Sequence, residues 1–152
     1  MKKIAFIIVR YGADVNGGAE VHCRMLAERL LPYYDVEILT TTIRDFSDSA
    51  KDYPEGTSCE NGVKVRRLRP QPVEAHHHQQ YRKQCKSVRR IRFYLQRLGM
   101  LKAISSLHPV WKSGIAKEMR FLESQTSYTP ALLHHIETHK AEYDALIFMN
   151  FY

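Results

Sequence analysis

The sequence has few cysteines and no long apolar run. Cys23, Cys59 and Cys85 are widely spaced and include no C-x-x-C pair, which argues against a disulfide framework and against a zinc site. We therefore expect three reduced thiols in a cytosolic protein. No run of about 18 apolar residues occurs, so the sequence predicts no transmembrane helix. The apolar stretch near the start is short, β-branched and followed by Arg10, which is typical of a core strand and not of a signal peptide.

Acidic residues are missing from residues 75–117, a segment that contains ten lysines or arginines. The whole chain of 152 residues carries a formal charge of +7 and has a pI near 9.4. This charge indicates acidic partners: phosphates, nucleic acid or an anionic membrane surface. Four apolar residues of the segment lie at helical spacing, namely Val88, Ile91, Leu95 and Leu98. They predict an amphipathic helix over residues 82–106.

Three roles are open to this basic helix. Its apolar stripe is expected to cover one face of the sheet, while its arginines remain solvated. Alternatively, residues 82–102 rest on an anionic membrane surface, with the cations against lipid head groups. A nucleic-acid interface would add Tyr81, Phe93 and Tyr94 as stacking residues. Because no helix-turn-helix, RNP, KH or zinc-finger pattern accompanies them, specific nucleic-acid binding is not expected.

A strand and a glycine-started helix open the chain. Residues 3–9 are almost continuously apolar, which predicts the buried first strand of a parallel sheet. Gly17 and Gly18 then begin a helix with one apolar face. The residues of that face are Ala19, Cys23, Leu26 and Leu30. Because backbone N–H groups at such a helix start are unpaired, the glycine pair suits a phosphate or another anion.

Two phosphate-binding motifs do not fit this glycine pair. The dinucleotide fingerprint G-x-G-x-x-G needs a further glycine between Gly12 and Gly17, and its acidic residue is replaced by the threonines 40–42. A P-loop needs Lys and Ser or Thr where Gly18 and Ala19 stand. Neither NAD nor ATP binding follows. The glycines could also mark a helix start packed closely on the sheet without a ligand, but the long polar loop before them favours binding.

Strand and helix patterns alternate along the rest of the chain. We predict strands over residues 36–42, 63–68 and 143–152, the last with a buried segment at 145–149, and helices over residues 111–124 and 130–140. An irregular excursion is expected at residues 43–61, before the turn-forming pair of Asn61 and Gly62. In the strand that follows, Val63 and Val65 are expected to face inward and Lys64 outward.

The histidines form no recognisable metal site. His76, His77 and His78 are consecutive, so their side chains diverge and a solvated loop is expected. His135 and His139 lie four residues apart on the predicted last helix, a spacing that could bind zinc. No third ligand accompanies them, so we expect surface or packing roles and assign no metal.

The order of these elements resembles that of a known family. Residues 17–20 (Gly-Gly-Ala-Glu), residues 26–30 (Leu-Ala-Glu-Arg-Leu) and the later strands resemble the N-terminal domain of family-4 retaining glycosyltransferases, which have the GT-B fold. The resemblance is specific over residues 1–70. One departure is the segment 32–35, which replaces the Gly-His often found there. The resemblance implies an α/β fold, a Rossmann-like parallel sheet flanked by helices, as in the N-terminal half of a GT-B fold.

This resemblance also implies a function. Such enzymes move a sugar from a nucleotide-sugar donor to a glycan, lipid-linked or small-molecule acceptor with retention, as in cell-envelope polysaccharide synthesis, and generally need no metal or cofactor. Residues 1–152 would be the acceptor-side domain, with the C-terminal donor-binding domain absent, so the isolated chain is expected to be inactive. Gly17 and Gly18 would contact the donor diphosphate. The acceptor-side candidates are Arg10, Tyr11, Asp14, Asn16, Asn150 and Tyr152, and no catalytic residue is assigned.

The expected location is the cytoplasm, with peripheral contact at the inner face of the membrane. An alternative function is left open by the charge of the chain. In that alternative the protein is a basic α/β module that binds phosphates or nucleic acid without catalysis.

Overall fold

The computed structural model describes residues 1–72, 89–107, 115–125 and 127–149. The chain forms two compact units. The first consists of Met1–Gln71 together with Thr129–Tyr152, and the second consists of Pro72–Tyr128. In sequence, the second unit thus lies between the two segments of the first.

The first unit is built on a five-stranded sheet. Its strands are β1 (Lys3–Ile7), β2 (Asp35–Thr41), β3 (Gly56–Glu60), β4 (Val63–Leu68) and β5 (Ala145–Phe148). Their spatial order is β3-β4-β2-β1-β5. All neighbouring strands are parallel except β3 and β4, which are antiparallel. This mostly parallel sheet confirms the predicted Rossmann-like α/β class.

Helix α1 (Gly18–Leu30) covers one face of the sheet. Cys23 and Ala27 are fully buried on it, and their spacing of four residues places them on the same helix face. They pack against residues of β1, β2, β4 and the loop after β1, namely Ile4, Phe6, Ile8, Tyr11, Val36, Ile38, Val63 and Val65. The predicted inward direction of Val63 and Val65 is therefore confirmed.

Helix α5 (Pro130–His139) covers the opposite face. It begins with Pro130 at its first turn, as predicted, where the missing N–H of proline costs no helical hydrogen bond. Leu132 packs there with Tyr143 and with three sheet residues, Ala5, Ile7 and Leu39. The sheet therefore has one helix on each side, the layered arrangement that a parallel sheet needs.

A buried carboxylate lies on the α5 face of the sheet. Glu37 of β2 accepts a hydrogen bond of 2.9 Å from the hydroxyl of Tyr143. It also pairs with Lys3 and Lys64 at 3.3 Å and with Arg66 at 3.1 Å. Burial alone would raise the pKa of Glu37, but the hydrogen bond from Tyr143 and the three cations outweigh burial and lower it. The carboxylate thus remains charged inside the fold.

Strand β3 lies where the sequence predicted only an irregular excursion. Residues 43–61 do contain loops and one short 3₁₀ turn, but Gly56–Glu60 pairs with β4 as a hairpin. Asn61 (φ 50°) and Gly62 (φ 84°) form the tight turn between the two strands, as their sequence predicts. The strand was missed because it is mostly exposed and has no alternating apolar residues.

The predicted last strand is present as β5, but it is less buried than expected. Ala145 and Phe148 are exposed, and Leu146 and Ile147 are half-buried. Within the described sheet, β5 has one neighbour, β1, whereas β1 and β2 each have two. An apolar run of this kind therefore does not distinguish a central strand from an edge strand.

The described part of the second unit is helical. Helix α2 comprises residues 89–97 among those described, α3 is Leu101–Leu107 and α4 is Ile115–Glu123. The expected continuous helix over residues 82–106 is wrong, because α2 ends before Gly99, which has a φ of 70°. The N–H of Met100 donates to the Leu95 carbonyl (3.0 Å) and that of Gly99 to the Gln96 carbonyl (3.1 Å), which is the Schellman ending that glycine permits.

The apolar stripe of α2 is not buried as expected. Ile91 is 54% exposed and Leu98 is 68% exposed, although both belong to the stripe that was expected to cover the sheet. None of the described helices is long and apolar enough to cross a membrane. The stripe therefore presents apolar side chains to the outside of its own unit.

Candidate functional site

The carboxyl end of β1 lies at a switch point of the sheet. From β1 the chain passes through α1 to β2 on one side, whereas β5 pairs with β1 on the other side. In open α/β sheets, ligands bind in the crevice outside the carboxyl ends of the strands at such a point. Here that place is formed by the β1–α1 loop, residues 8–17. The predicted residues Asn150 and Tyr152, which follow β5, lie outside the described residues.

The β1–α1 loop is held in one conformation by two buried side chains. Tyr11 and Val15 are both buried, and the N–H of Val15 donates to the Gly12 carbonyl at 3.2 Å. From α1, Nη1 of Arg24 donates to the carbonyls of Gly12 (2.8 Å) and Ala13 (3.1 Å). The predicted site residues Asp14 and Asn16 project from this fixed loop and are exposed.

Tyr11 does not fit its expected place on the acceptor side. Its side chain is buried in the core beneath α1, and this burial raises the pKa of its hydroxyl. Only its backbone takes part in the site, since its carbonyl accepts a hydrogen bond of 3.0 Å from Nη2 of Arg67. The polar composition of the loop does not indicate whether the tyrosine side chain points towards the core or towards solvent.

Gly17 and Gly18 have different surroundings. Gly17 is the N-cap residue of α1 and has an extended backbone (φ −153°). A β-carbon on Gly17 would collide with the carboxylate of Glu20, whereas one on Gly18 would meet no atom within 4 Å. Neither glycine is therefore required by close packing on the sheet, which was the alternative to ligand binding. Gly18 is exposed, so the start of the helix is open at this residue.

Arg10 is held by an ion pair inside the site. Its Nε and Nη2 donate to Oε1 of Glu20 at 3.1 and 2.7 Å, and its guanidinium lies 4.7 Å from the ring centre of Phe46. The side chains of Arg10 and Glu20 are 20% and 13% exposed. Glu20 lies in the first turn of α1, where the helix dipole favours a negative charge. The chain thus places one carboxylate of its own beside the glycine pair.

The loop after β2 brings a second arginine to this edge. Arg44 donates through Nη2 to Asp14 at 3.0 Å, which joins the loops after β1 and β2. Its backbone N–H donates to Asp52 at 3.2 Å, and its guanidinium lies 5.7 Å from the ring centre of Tyr53. Residues 43–61 were expected only to form an irregular excursion, so Arg44 was not recognised as a site residue.

A third arginine lies beneath the first two loops. Arg67 is buried and donates to Tyr11, to Oγ of Ser58 (2.7 Å) and to Glu60. Its guanidinium lies 4.4 Å from the ring centre of Tyr53. The sequence contained a signal for this burial, because Arg67 follows Val63 and Val65 at the period of two that marks one face of a strand.

The threonines at the end of β2 form hydrogen bonds within the sheet. Thr40 and Thr41 donate through Oγ1 to the carbonyl of Val9 at 3.1 and 2.7 Å. Thr41 Oγ1 also accepts from the N–H of Ile43 at 3.1 Å. These side chains therefore form hydrogen bonds with backbone groups at the point where β1 and β2 end and loops begin.

In the described part of the chain, no cluster of three or more His, Cys, Asp or Glu residues could hold a metal ion. The rings of His135 and His139 stack with their centres 4.1 Å apart, and Nδ1 of His139 lies 3.0 Å from the His135 carbonyl. Among the cysteines, Cys23 is a buried free thiol whose pKa burial raises to about 12, and Cys59 is an exposed free thiol. His76–His78 and Cys85 lie outside the described residues.

Comparisons of the chain with protein-family models, with curated proteins and with solved structures each found no match. The glycosyltransferase resemblance thus remains a hypothesis that depends on the residues of this chain. The fold and the open helix start at the switch point are the structural features on which a function can be argued.

Proposed function

We propose that the first unit is the acceptor-side domain of a retaining glycosyltransferase that uses a nucleotide sugar as donor. The α/β sheet, the position of β1 between β2 and β5, and the glycine-started helix α1 support this proposal. The donor diphosphate would lie at the start of α1, and the acceptor would lie along the β1–α1 loop. Asp14 and Asn16 are the exposed acceptor-side candidates of that loop.

The observation that carries the proposal is the open space around Gly18. Glycine destabilises a helix relative to alanine, by up to about 0.5–1 kcal/mol at interior positions. Gly18 has no packing reason for this cost, because a β-carbon there would meet no atom within 4 Å. Ligand binding would explain why glycine occupies this position, because any side chain would stand between the ligand and the backbone amides.

The chemistry of sugar transfer suits this position. When the glycosidic bond of a nucleotide sugar breaks, negative charge grows on the leaving diphosphate. Backbone N–H groups fixed at the start of a helix stabilise such a charge without reorganising. Arg10 adds a positive charge nearby, although Glu20 already compensates it. We therefore assign the start of α1 to leaving-group stabilisation and assign no general base.

A contact with an anionic membrane surface is the second candidate role, and it belongs to the second unit. Exposed apolar residues of α2 and its end, Ile91, Tyr94 and Leu98, lie on one helical face. Arg89 and Arg97 lie on the other part of its circumference together with the exposed Phe93, and Arg90 borders the apolar face beside Tyr94. A basic amphipathic helix of this kind is typical of interfacial binding at anionic head groups.

Titration of the ¹⁵N-labelled chain with pyrophosphate tests the anion site. We expect amide shifts at Gly17 and Gly18 and weakening of at least about fivefold in Gly18→Ala, because the methyl group stands in the path of the ligand. His22→Ala, on the exposed side of the same helix, is the control and should bind as the natural chain does. Unchanged pyrophosphate affinity in Gly18→Ala would refute the assignment.

A further inference from the structure

We propose that Arg44 binds an anionic group, a phosphate or a carboxylate, on the acceptor sugar. This inference rests on the proposed function in one respect, namely that the acceptor lies along the β1–α1 loop. It adds a residue from the loop after β2 and a chemical class of acceptor. The argument depends on how Arg44 is anchored, on its present partner and on the hydrogen-bond donors around Tyr53.

The backbone of Arg44 is held by hydrogen bonds, while its side chain is accessible. Its N–H donates to Asp52 at 3.2 Å, and the N–H of Tyr53 donates to the Thr42 carbonyl at 2.8 Å. These two hydrogen bonds fix both ends of residues 44–53. The side chain nevertheless remains 40% exposed. A fixed backbone with an accessible guanidinium can bind an anion at little cost in conformational entropy.

The present partner of Arg44 is easily displaced. Asp14 is 63% exposed, and ion pairs between exposed side chains contribute little to stability. The other arginines of this edge differ, because Arg10 and Arg67 pair with carboxylates in much less accessible positions. A phosphate or carboxylate on a ligand can therefore replace Asp14 at Arg44 more readily than it can replace the partners of the other two.

The surroundings of Tyr53 contain more donors than acceptors. The Tyr53 ring lies against the guanidinium groups of both Arg44 and Arg67. Its hydroxyl and Nε of Arg67 are buried without a hydrogen-bond partner among the described residues, and such atoms are uncommon in folded proteins. Because these two atoms are buried, the donor of this cluster that a ligand can reach is Arg44. An oxyanion there would be attracted by the positive charge of both guanidinium groups, whereas a neutral apolar group would not.

The guanidinium geometry allows either oxyanion. Arginine offers parallel N–H groups that match two oxygens of a phosphate or of a carboxylate. The two sources are separated by comparing a hexose 6-phosphate, a hexuronate and the neutral hexose as ligands. We expect both charged sugars to bind more tightly than the neutral one, with amide shifts at residues 14 and 44.

Substitutions at both partners test the assignment by titration followed by NMR. Arg44→Gln should weaken binding of the better charged sugar by about tenfold, as loss of a charge-assisted hydrogen bond predicts. Asp14→Asn keeps a hydrogen-bonding group on the acceptor side but removes the carboxylate that competes for Arg44, so it should tighten binding about two- to threefold. Lys51→Gln removes the same charge from the other exposed ion pair of this loop, that of Lys51 with Asp48, and should leave binding unchanged.

The outcomes separate this inference from the proposed function. If the charged sugars bind no better than the neutral hexose, or if Arg44→Gln and Lys51→Gln weaken binding equally, Arg44 is not the anion ligand. Absence of binding by every sugar overturns the inference as well. In each case the response of the Gly18 amide to pyrophosphate reports on the proposed function separately.

Discussion

The carboxylate of Glu20 lies over Gly17 and accepts two hydrogen bonds from Arg10. A charge of the chain itself is thus placed beside the first turn of α1, where helix amides attract anions. Glu20 fixes Arg10 in turn, and Arg10 packs against Phe46. The two neighbouring glycines consequently have different tasks. Gly17 makes room for an internal ion pair, and Gly18 leaves the helix start open.

Gly17→Ala is expected to lower the free energy of unfolding by about 1–2 kcal/mol. The added methyl group would collide with the carboxylate of Glu20 and separate it from Arg10. Urea denaturation followed by circular dichroism measures the change. In a Glu20→Ala background the same substitution should cost less, because no carboxylate remains to be displaced and only the poorer N-capping by alanine is left. An equal cost in both backgrounds would contradict the contact.

Gly18→Ala is expected to change stability in the opposite direction. The position is helical and a β-carbon there has free space, so the substitution should raise the free energy of unfolding by about 0.4–1 kcal/mol. Thermal unfolding measures this gain, and pyrophosphate titration of the same sample measures the loss of binding. A variant that is both more stable and weaker in binding marks a glycine kept for a ligand. A destabilised variant would show that packing requires the glycine.

Acid unfolding should depend on Glu37. Its pKa is lower in the folded chain than its ordinary value of 4.5, so below about pH 5 the folded state binds fewer protons than the unfolded state. The stability that Glu37 contributes is therefore complete above the unfolded pKa and is lost as the pH falls through the lowered folded value. Urea denaturation at pH values from about 6 to 3 should show this loss.

Glu37→Gln should flatten that acid dependence. At neutral pH it should also cost about 2–3 kcal/mol, because Lys3, Lys64 and Arg66 lose a common carboxylate on the sheet. Asp35→Asn, at the exposed start of the same strand, is the matched control and should leave the acid dependence unchanged. If the free energy of unfolding of both variants falls with pH as steeply as that of the natural chain, Glu37 is not the group that titrates.

The main elements of the fold could be predicted because burial leaves a local pattern. The apolar run of β1 and the apolar spacing on α1 are set by neighbours within a few residues. The predicted residues of that helix face, Ala19, Cys23, Leu26 and Leu30, all belong to the core or pack against it. Strand β3 left no such pattern, since an exposed edge strand needs no apolar alternation. Helix α2 ends before Gly99, directly beside Leu98, the last residue of its apolar stripe. The spacing of the stripe carries no information on the backbone conformation of the glycine that follows it.

The candidate site was predictable only in part because its contacts are distant in sequence. The glycine pair and the polar loop were recognised from adjacent residues. The ion pair of Asp14 with Arg44 joins two loops, and a local sequence pattern cannot predict a contact between residues so far apart in the chain. The side chain of Tyr11 was predicted to face the acceptor but is buried in the core. Loop residues do not alternate regularly, so the sequence does not indicate which of their side chains point inward.

Binding to anionic membranes should depend on α2. We expect the chain to float with liposomes that contain phosphatidylglycerol at low salt and to be released at about 0.5 M salt, where electrostatic attraction is screened. Arg90→Gln with Arg97→Gln should reduce the bound fraction, because each basic residue near a charged surface contributes about 1 kcal/mol. Leu98→Asp should also reduce it, since Leu98 is an exposed apolar residue beside these cations.

Matched substitutions separate this contact from a general effect of charge. Lys2→Gln with Arg29→Gln removes the same charge from exposed positions of the first unit and should leave flotation unchanged. Neutral phosphatidylcholine liposomes should bind little of any variant, because attraction to lipid head groups is needed in addition to the apolar face. If the two double variants lose flotation equally, net charge alone explains the binding and α2 has no special role at the membrane.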